Sequence, residues 1–415
     1  MALIRPFKAL RPDINVAQKV ASVPYDVVNT EEAKAYAKDN PLSFLRITRS
    51  EIEFPPATNP YADNVYQKAK ENLKRITAEA PLISESTPSF YLYKLVMNGR
   101  EQIGIAATFS VDDYDNDVIL KHEKTRKEKE DDRTNHIITT EAQTGIVFLT
   151  YKSVHKIDQI VDRVVSNVNP IYDVTTLDGV VHTIWILPEE YNDFIIKEMV
   201  KVKNLYISDG HHRAKSASRA REVKKNANPN HDGTEEYNYF IAVLFPADQL
   251  KILAYNRAVK DLNGKTPKRF LDEVLEKFIV EKTSNKEPKE KNHFGMYLNG
   301  RWYGLKPRDS VLASNSLSKS EAEKLDVSIL QNFLLNPILG IDDPRTNKKI
   351  DFIGGIRGVK ELETLVDSGK CAVAFSLYPV SVDDLIKISD AGEIMPPKST
   401  WFEPKLRDGF LTHMI

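Results

Sequence analysis

Residues 204–220, NLYISDGHHRAKSASRA, decide the reading of this chain. Leu205 to Ile207 reads as a short buried strand, Asp209-Gly210 as a turn, and the Ala/Ser/Lys/Arg run that follows as a helix. His211, His212 and Arg213 then fall in the first helical turn, where the macrodipole already places partial positive charge and where cations are disfavoured. A helix start that gathers these three residues is poised to hold an anion, above all a phosphate. Two readings fit Asp209. As N-cap it would accept a hydrogen bond from the amide of His211 or His212. As a functional carboxylate it would bind Mg²⁺ or take a proton.

Composition bounds what surrounds this turn. At 415 residues the chain exceeds what one core usually serves, so at least two domains are expected. Lys plus Arg is 58 and Asp plus Glu is 59, so no global field draws in nucleic acid or anionic lipid. The single cysteine, Cys371, excludes an intrachain disulfide and a cysteine-based zinc cage, and reads as a buried core thiol. The N-terminal stretch carries prolines and charges where a signal peptide needs an apolar run, and no segment reaches transmembrane length. A cytoplasmic protein without nucleic-acid or membrane partners is the expectation.

The pattern of apolar residues predicts mixed α and β. Val20–Val23 and Phe44–Thr48 read as strands, with a helix from Asn29-Thr30 to Lys38 between them. Tyr61–Ile76 is amphipathic and helical. Phe90–Met97 and Gln102–Phe109 form a hairpin around Asn98-Gly99, and Phe294–Leu305 a second one around Asn299-Gly300. Ile146–Tyr151, Thr183–Leu187, Tyr239–Phe245 and Ala372–Leu377 are strand candidates. Pro267–Phe278, Ser320–Leu335 and Val359–Val366 are predicted helices. The Lys/Glu-rich stretch 283–292 is the strongest linker signal. The expected fold class is therefore α+β, with domains at 1–282 and 283–415.

Three further segments carry chemistry-bearing residues. In KHEKTRKEKEDDR (121–133), positions 127–133 read as a solvated helix laced with opposite charges. The first half differs: His122, Glu123, Lys124, Thr125 and Arg126 supply a proton shuttle, a carboxylate, a hydroxyl and two cations, the parts a phosphoryl-transfer site assembles. That signal gains weight only if the segment folds against the Asp209 turn. In VPYDV (23–27), Asp26 is either a turn former or a substrate or metal contact. The proline-framed loop MPPKSTWFEPK (395–405) reads equally as a closing loop, offering Lys398, Ser399 and Thr400, or as a packed tail. P-loop, dinucleotide, zincin and nucleophile-elbow motifs are all missing from the sequence.

Taken together, RPFKALRP (5–12), VPYDV (23–27), HEKT (122–125), DGHHR (209–213) and MPPKST (395–400) resemble the DUF1015 family. DGHHR also resembles the phosphate-binding signature of the ParB/sulfiredoxin-like fold, including the archaeal free-serine kinase. The resemblance implies a ParB/sulfiredoxin-like catalytic core with insertions and a smaller C-terminal α/β part. It also implies phosphoryl transfer to the hydroxyl of free L-serine, giving O-phospho-L-serine, with pyrophosphate, ATP or ADP as donor. On that reading Gly210, His211, His212 and Arg213 hold donor phosphates, helped by Lys124 and Arg126. Asp209 holds Mg²⁺ or orients the acceptor, and Glu123 accepts the hydroxyl proton. Asp26, His122, Thr125, Lys398, Ser399 and Thr400 contact substrate or close over it. The chain departs from the short kinase by its C-terminal part and by a long insertion around 60–120. Two rivals stand beside the kinase: a nucleotide-gated ParB-like binding protein without catalysis, and a phosphohydrolase using the same turn.

Overall fold

In the computed structural model, residues 2–318 and 320–415 are described. They form a mixed α+β structure with fourteen α-helices and four sheets among the described residues. The chain divides into two compact units, one of 1–121, 125–250 and 404–415, the other of 122–124 and 251–403.

The first unit is built on a nine-stranded mixed sheet. Its strands run in the order Ile119–Leu120, Leu205–Asp209, Val147–Tyr151, Tyr239–Pro246, Arg100–Ser110, Tyr91–Met97, Val181–Ile186, Tyr172–Thr175, with Ile4–Arg5 against Arg100–Ser110. Two pairings are parallel, 205–206 with 119–120 and 242–246 with 147–151, and the others are antiparallel. The central strands are apolar on both faces, as strands covered on both sides must be. One face buries Leu149, Ile207, Ala214, Phe240 and Leu244 in a single core. The Tyr91–Ser110 hairpin turns at Asn98-Gly99, both in the left-handed region, as a two-residue type I′ turn requires. A smaller four-stranded sheet orders Ile83–Ser84, Ala9–Arg11, Thr412–Met414 and Ala142–Gln143, so the returning C-terminal segment is an interior strand.

The second unit carries a six-stranded antiparallel sheet in the order Phe278–Lys282, Arg301–Pro307, Phe294–Leu298, Val373–Leu377, Tyr255–Val259, Ile350–Gly354. The helix Gly358–Asp367 packs Leu362 onto Ala258, Tyr297, Trp302 and Ala374. Cys371 is buried in that cluster.

Several elements differ from their expected form. The division does not follow residue 282: strand Phe278–Lys282 pairs with Arg301–Pro307 across the 283–292 stretch, which is a loop inside one sheet. The break in contacts falls after Leu250, and residues 404–415 return to the first unit. Val20 ends a helical turn, Ala17–Val20, and Leu45–Thr48 is also helical. Phe44, Leu45, Ile47 and Thr48 are all buried, at helical spacing, with Phe44 and Ile47 packing on Val20, Leu73 and Ile76. Short apolar runs of this kind do not distinguish strand from helix by themselves. Within 320–335 the α-helix is only Asp326–Leu330, followed by a π turn at Gln331–Leu335. Ahead of it, the Glu393 carboxylate takes the Ser320 hydroxyl (2.7 Å) and the Ala322 amide (2.9 Å), which holds those residues out of a helix. Residues 127–133 are a solvated face only in part: Lys127 and Glu128 are exposed, but the helix Lys127–Thr140 buries Asp132, and Arg219 pairs with its Glu130 and Asp131.

The returning segment is anchored by Phe410, fully buried and stacked on Tyr172 with centroids 5.4 Å apart. Phe410→Ala is expected to cost about 3–5 kcal/mol of unfolding free energy, the range for emptying a buried aromatic site. Urea denaturation checks this; a loss under about 1 kcal/mol would show that the segment is held mainly by its strand pairing.

Candidate active site

The strand Leu205–Asp209 ends on an irregularity in its pairing with Val147–Tyr151, between Ile207 and Asp209. Gly210 follows at φ 94° as the N-cap, and the helix His211–Ala227 begins. The N-cap position thus falls on Gly210, not Asp209. A side chain at 210 would be strained by that φ, and its Cβ would start 3.1 Å from the Arg213 guanidinium carbon.

Arg213 folds back by one turn. Its Nη2 donates to Asp209 at 2.9 Å and to Asp26 at 3.3 Å, and its Nη1 donates to the Ile146 carbonyl. The side chain is only 6% exposed. Burial opposes its charge, but Asp26 and Asp209 outweigh burial and hold its pKa above the ordinary arginine value. Gly145 completes the slot, since a Cβ there would stand 3.1 Å from Arg213 Cδ.

The two carboxylates stay accessible, with side-chain exposures of 37% for Asp26 and 30% for Asp209. Lys405 reaches the same Asp209 oxygen at 3.3 Å. Asp408 is buried, and neither of its oxygens meets a partner in full hydrogen-bonding geometry. The Ile146 amide lies near enough only to temper its charge. Burial, opposed by Arg213 and seconded by Asp26, lifts the Asp408 pKa to about 7. Below this cluster, Arg133 pairs with Asp132 at 2.9 Å and lies 4.3 Å over the Tyr25 ring. His136, beside Arg133, gives its Nε2 to the Ile47 carbonyl at 3.0 Å, and burial, then Arg133, lowers its pKa to about 4.

The predicted residues therefore divide. Asp26, Thr125, Arg126, Asp209, Gly210, His211, His212 and Arg213 lie in the first unit. The 125–131 segment does fold against the Asp209 helix: Arg126 N–H donates to His212 Nε2 at 3.0 Å, and Ser216 Oγ donates to the Glu130 carbonyl. Thr125 Oγ1 is bonded to Glu130 at 2.5 Å, and His211 is buried. His122, Glu123, Lys124, Lys398, Ser399 and Thr400 lie in the second unit. There the His122 carbonyl accepts from the Met395 amide at 2.8 Å, and His122 Nε2 is 3.4 Å from Thr400 Oγ1. Ser399 Oγ donates to the Pro396 carbonyl, and Lys398 Nζ sits 5.5 Å from the Tyr255 ring centroid. Glu123 and Lys124 line a cavity of about 540 Å³ with Pro396, Pro397, Asp343 and Arg345. Lys405, Asp408 and the Arg133–Asp132 pair were not predicted as site residues. Neither Glu403-Pro404-Lys405 nor Arg407-Asp408 has a spacing that marks it, and burial of Asp408 is invisible in sequence.

Asp408 yields a pH test. Its unfolded carboxyl titrates near 3.8 and its folded one near 7, so between those values the folded chain holds a proton the unfolded chain has lost. This contribution to stability is present at low pH and declines as pH rises from about 4 to about 7. Asp408→Asn removes the decline, so the variant gains stability relative to the parent between pH 4 and 8. Urea titrations at both ends of that window check it, and parallel pH profiles would refute it.

A conserved hypothetical protein from Pyrococcus furiosus matches at 11% identity and TM-score 0.35, over 74% of this chain and 94% of that one. A free serine kinase in complex with AMP matches at 12% and 0.36, over 74% and 91%. A C-terminally truncated SbnI from Staphylococcus aureus matches at 12% and 0.37, over 73% and 85%. No curated protein sequence matches the chain. The family described as "Protein of unknown function (DUF1015)" matches residues 4–328, and the chain belongs to that family.

Proposed function

We propose that this protein is a phosphotransferase, a small-molecule kinase that moves a phosphoryl group from pyrophosphate, ATP or ADP to the hydroxyl of free L-serine. The observation that carries the reading is the convergence of Asp26 and Asp209 on one Arg213 nitrogen. Both remain about one-third exposed at the positive end of the His211–Ala227 helix, with Lys405 beside them. Serine as acceptor, and a ParB/sulfiredoxin-like core, come from the motif resemblance alone.

Two convergent carboxylates fit Mg²⁺, which is usually held by one or two carboxylates with substrate phosphates and water completing its shell. Among the described residues no cluster of three or more His, Cys, Asp or Glu side chains forms an all-protein cage. Asp26 and Asp209 would hold the ion, which supplies positive charge against the phosphates. Arg213 is the positioning residue: its buried guanidinium fixes both carboxylates. Lys405 and the first turn of the helix face the donor's negative charge. The serine oxygen attacks phosphorus as its proton passes to solvent and the donor's bridging oxygen leaves.

A phosphorus NMR assay with Mg²⁺, L-serine and each donor in turn tests this. O-phospho-L-serine is expected with at least one donor, and Asp209→Ala and Asp26→Ala should each lower turnover by about 100-fold or more while the variants stay folded. Orthophosphate alone would establish the phosphohydrolase. Nucleotide binding with no turnover would establish the binding protein.

A further inference from the structure

Outside the Asp26–Asp209 cluster, the first unit holds a separate cavity of about 230 Å³, between the helix Thr30–Tyr36 and the turn after Tyr172–Thr175. Arg407 and Asp178 stand in its wall, Ser43 and Asn40 line it, and Tyr36 and Leu177 form apolar rim positions. Arg407 is buried, with its side chain 5% exposed. Only its Nη2 is bonded, to Asp178 and to Thr176 Oγ1 at 3.1 Å; among the described residues Nε and Nη1 have no protein partner. A buried guanidinium with unspent donors facing a cavity leaves charge-assisted hydrogen bonds unmade. The Asp178 carboxylate beside it is 51% exposed. At the rim, Leu177 is 96% exposed and Tyr36 53%, an apolar pair left largely to solvent.

We infer that this cavity is a binding site for a free α-amino acid, distinct from the proposed phosphotransfer centre. The chemistry is that of a zwitterion. Arg407 Nε and Nη1 take the carboxylate, Asp178 takes the ammonium, and Tyr36 and Leu177 cover the side chain. The volume lies below the roughly 300–1,000 Å³ of sites for drug-sized ligands and suits a molecule of a few heavy atoms. The site does not depend on the kinase reading, since none of Asp26, Asp209 or Arg213 lines it. Its occupancy is placed to be felt there: Arg407 adjoins Asp408, and Ser22, also in the wall, exchanges two 3.0 Å backbone bonds with Asp408.

The test is thermal unfolding and isothermal titration of the full chain against each of the twenty free L-amino acids, with acetate and L-lactate as amine-free controls. At least one amino acid is expected to bind and raise Tm by about 2–4 °C at saturation. Asp209→Asn should leave that binding unchanged, and Arg407→Gln should weaken it tenfold or more. Tyr36→Ala/Leu177→Ala, both at exposed positions, should weaken it about threefold to tenfold and keeps the test alive if Arg407→Gln fails to fold. Absence of binding by every amino acid overturns the inference. So does binding lost in Asp209→Asn but unmoved by the rim variant, which would place the ligand in the phosphotransfer centre. Equal binding of acetate or L-lactate also overturns it, because the ammonium would then contribute nothing.

Discussion

A buried guanidinium sets the terms for the first unit. Desolvating a charge costs several kcal/mol, and the cost is recovered only when partners of opposite charge and good geometry surround it. Arg213 meets that demand with Asp209 from its own turn, Asp26 from nearly two hundred residues earlier, and the Ile146 carbonyl. The same demand removes side chains at Gly145 and Gly210, where a Cβ would crowd the guanidinium. Three distant chain segments are thus fixed around one cation, and two carboxylates are held at the surface as a consequence.

Charge accounting around Arg213 explains why Asp408 sits where it does. The cations are Arg133, Arg213 and Lys405, and the facing carboxylates are Asp26, Asp132 and Asp209, three against three. Asp408 is a fourth carboxyl, buried without a strong hydrogen bond, and the balance is kept while it holds its proton. On the proposed reading, a polyanionic donor arriving at a cluster already neutral needs further positive charge. That is a physical reason for a divalent cation to enter with the phosphates, independent of any motif.

Local features were legible where one residue type has one job. Asn98-Gly99 and Asn299-Gly300 each turn a hairpin, since the left-handed backbone there admits little else. Asn29 caps its helix through a full capping box with Glu32. The strand–Gly210–helix unit was likewise plain from Leu205–Ile207, the turn dipeptide and the alanine-rich run. What could not be read was long-range. Phe44–Thr48 is a short apolar run whose composition admits strand or helix, and only the packing on Val20 and Leu73 decides. The Lys/Glu-rich 283–292 stretch has linker composition, yet strands on either side of it pair in register. Lys405 and Asp408 enter the site because 404–415 returns to the first sheet system, a topological fact with no local signature.

In sequence, His211, His212 and Arg213 crowd against the helix dipole, a pattern that suits phosphate. The structure accounts for much of that crowding internally. Arg213 turns back to Asp209, so its charge is answered within one turn and does not oppose the dipole alone. His212 accepts the Arg126 amide on Nε2, which requires that nitrogen to be unprotonated and makes the imidazole neutral in this arrangement. Anion binding therefore does not rest on the number of cations in the turn. It rests on what Arg213 organises: two accessible carboxylates from distant segments, held at one point beside the positive end of a helix. On the proposed reading, carboxylates gathered beside that end share a divalent ion with a phosphate instead of repelling it.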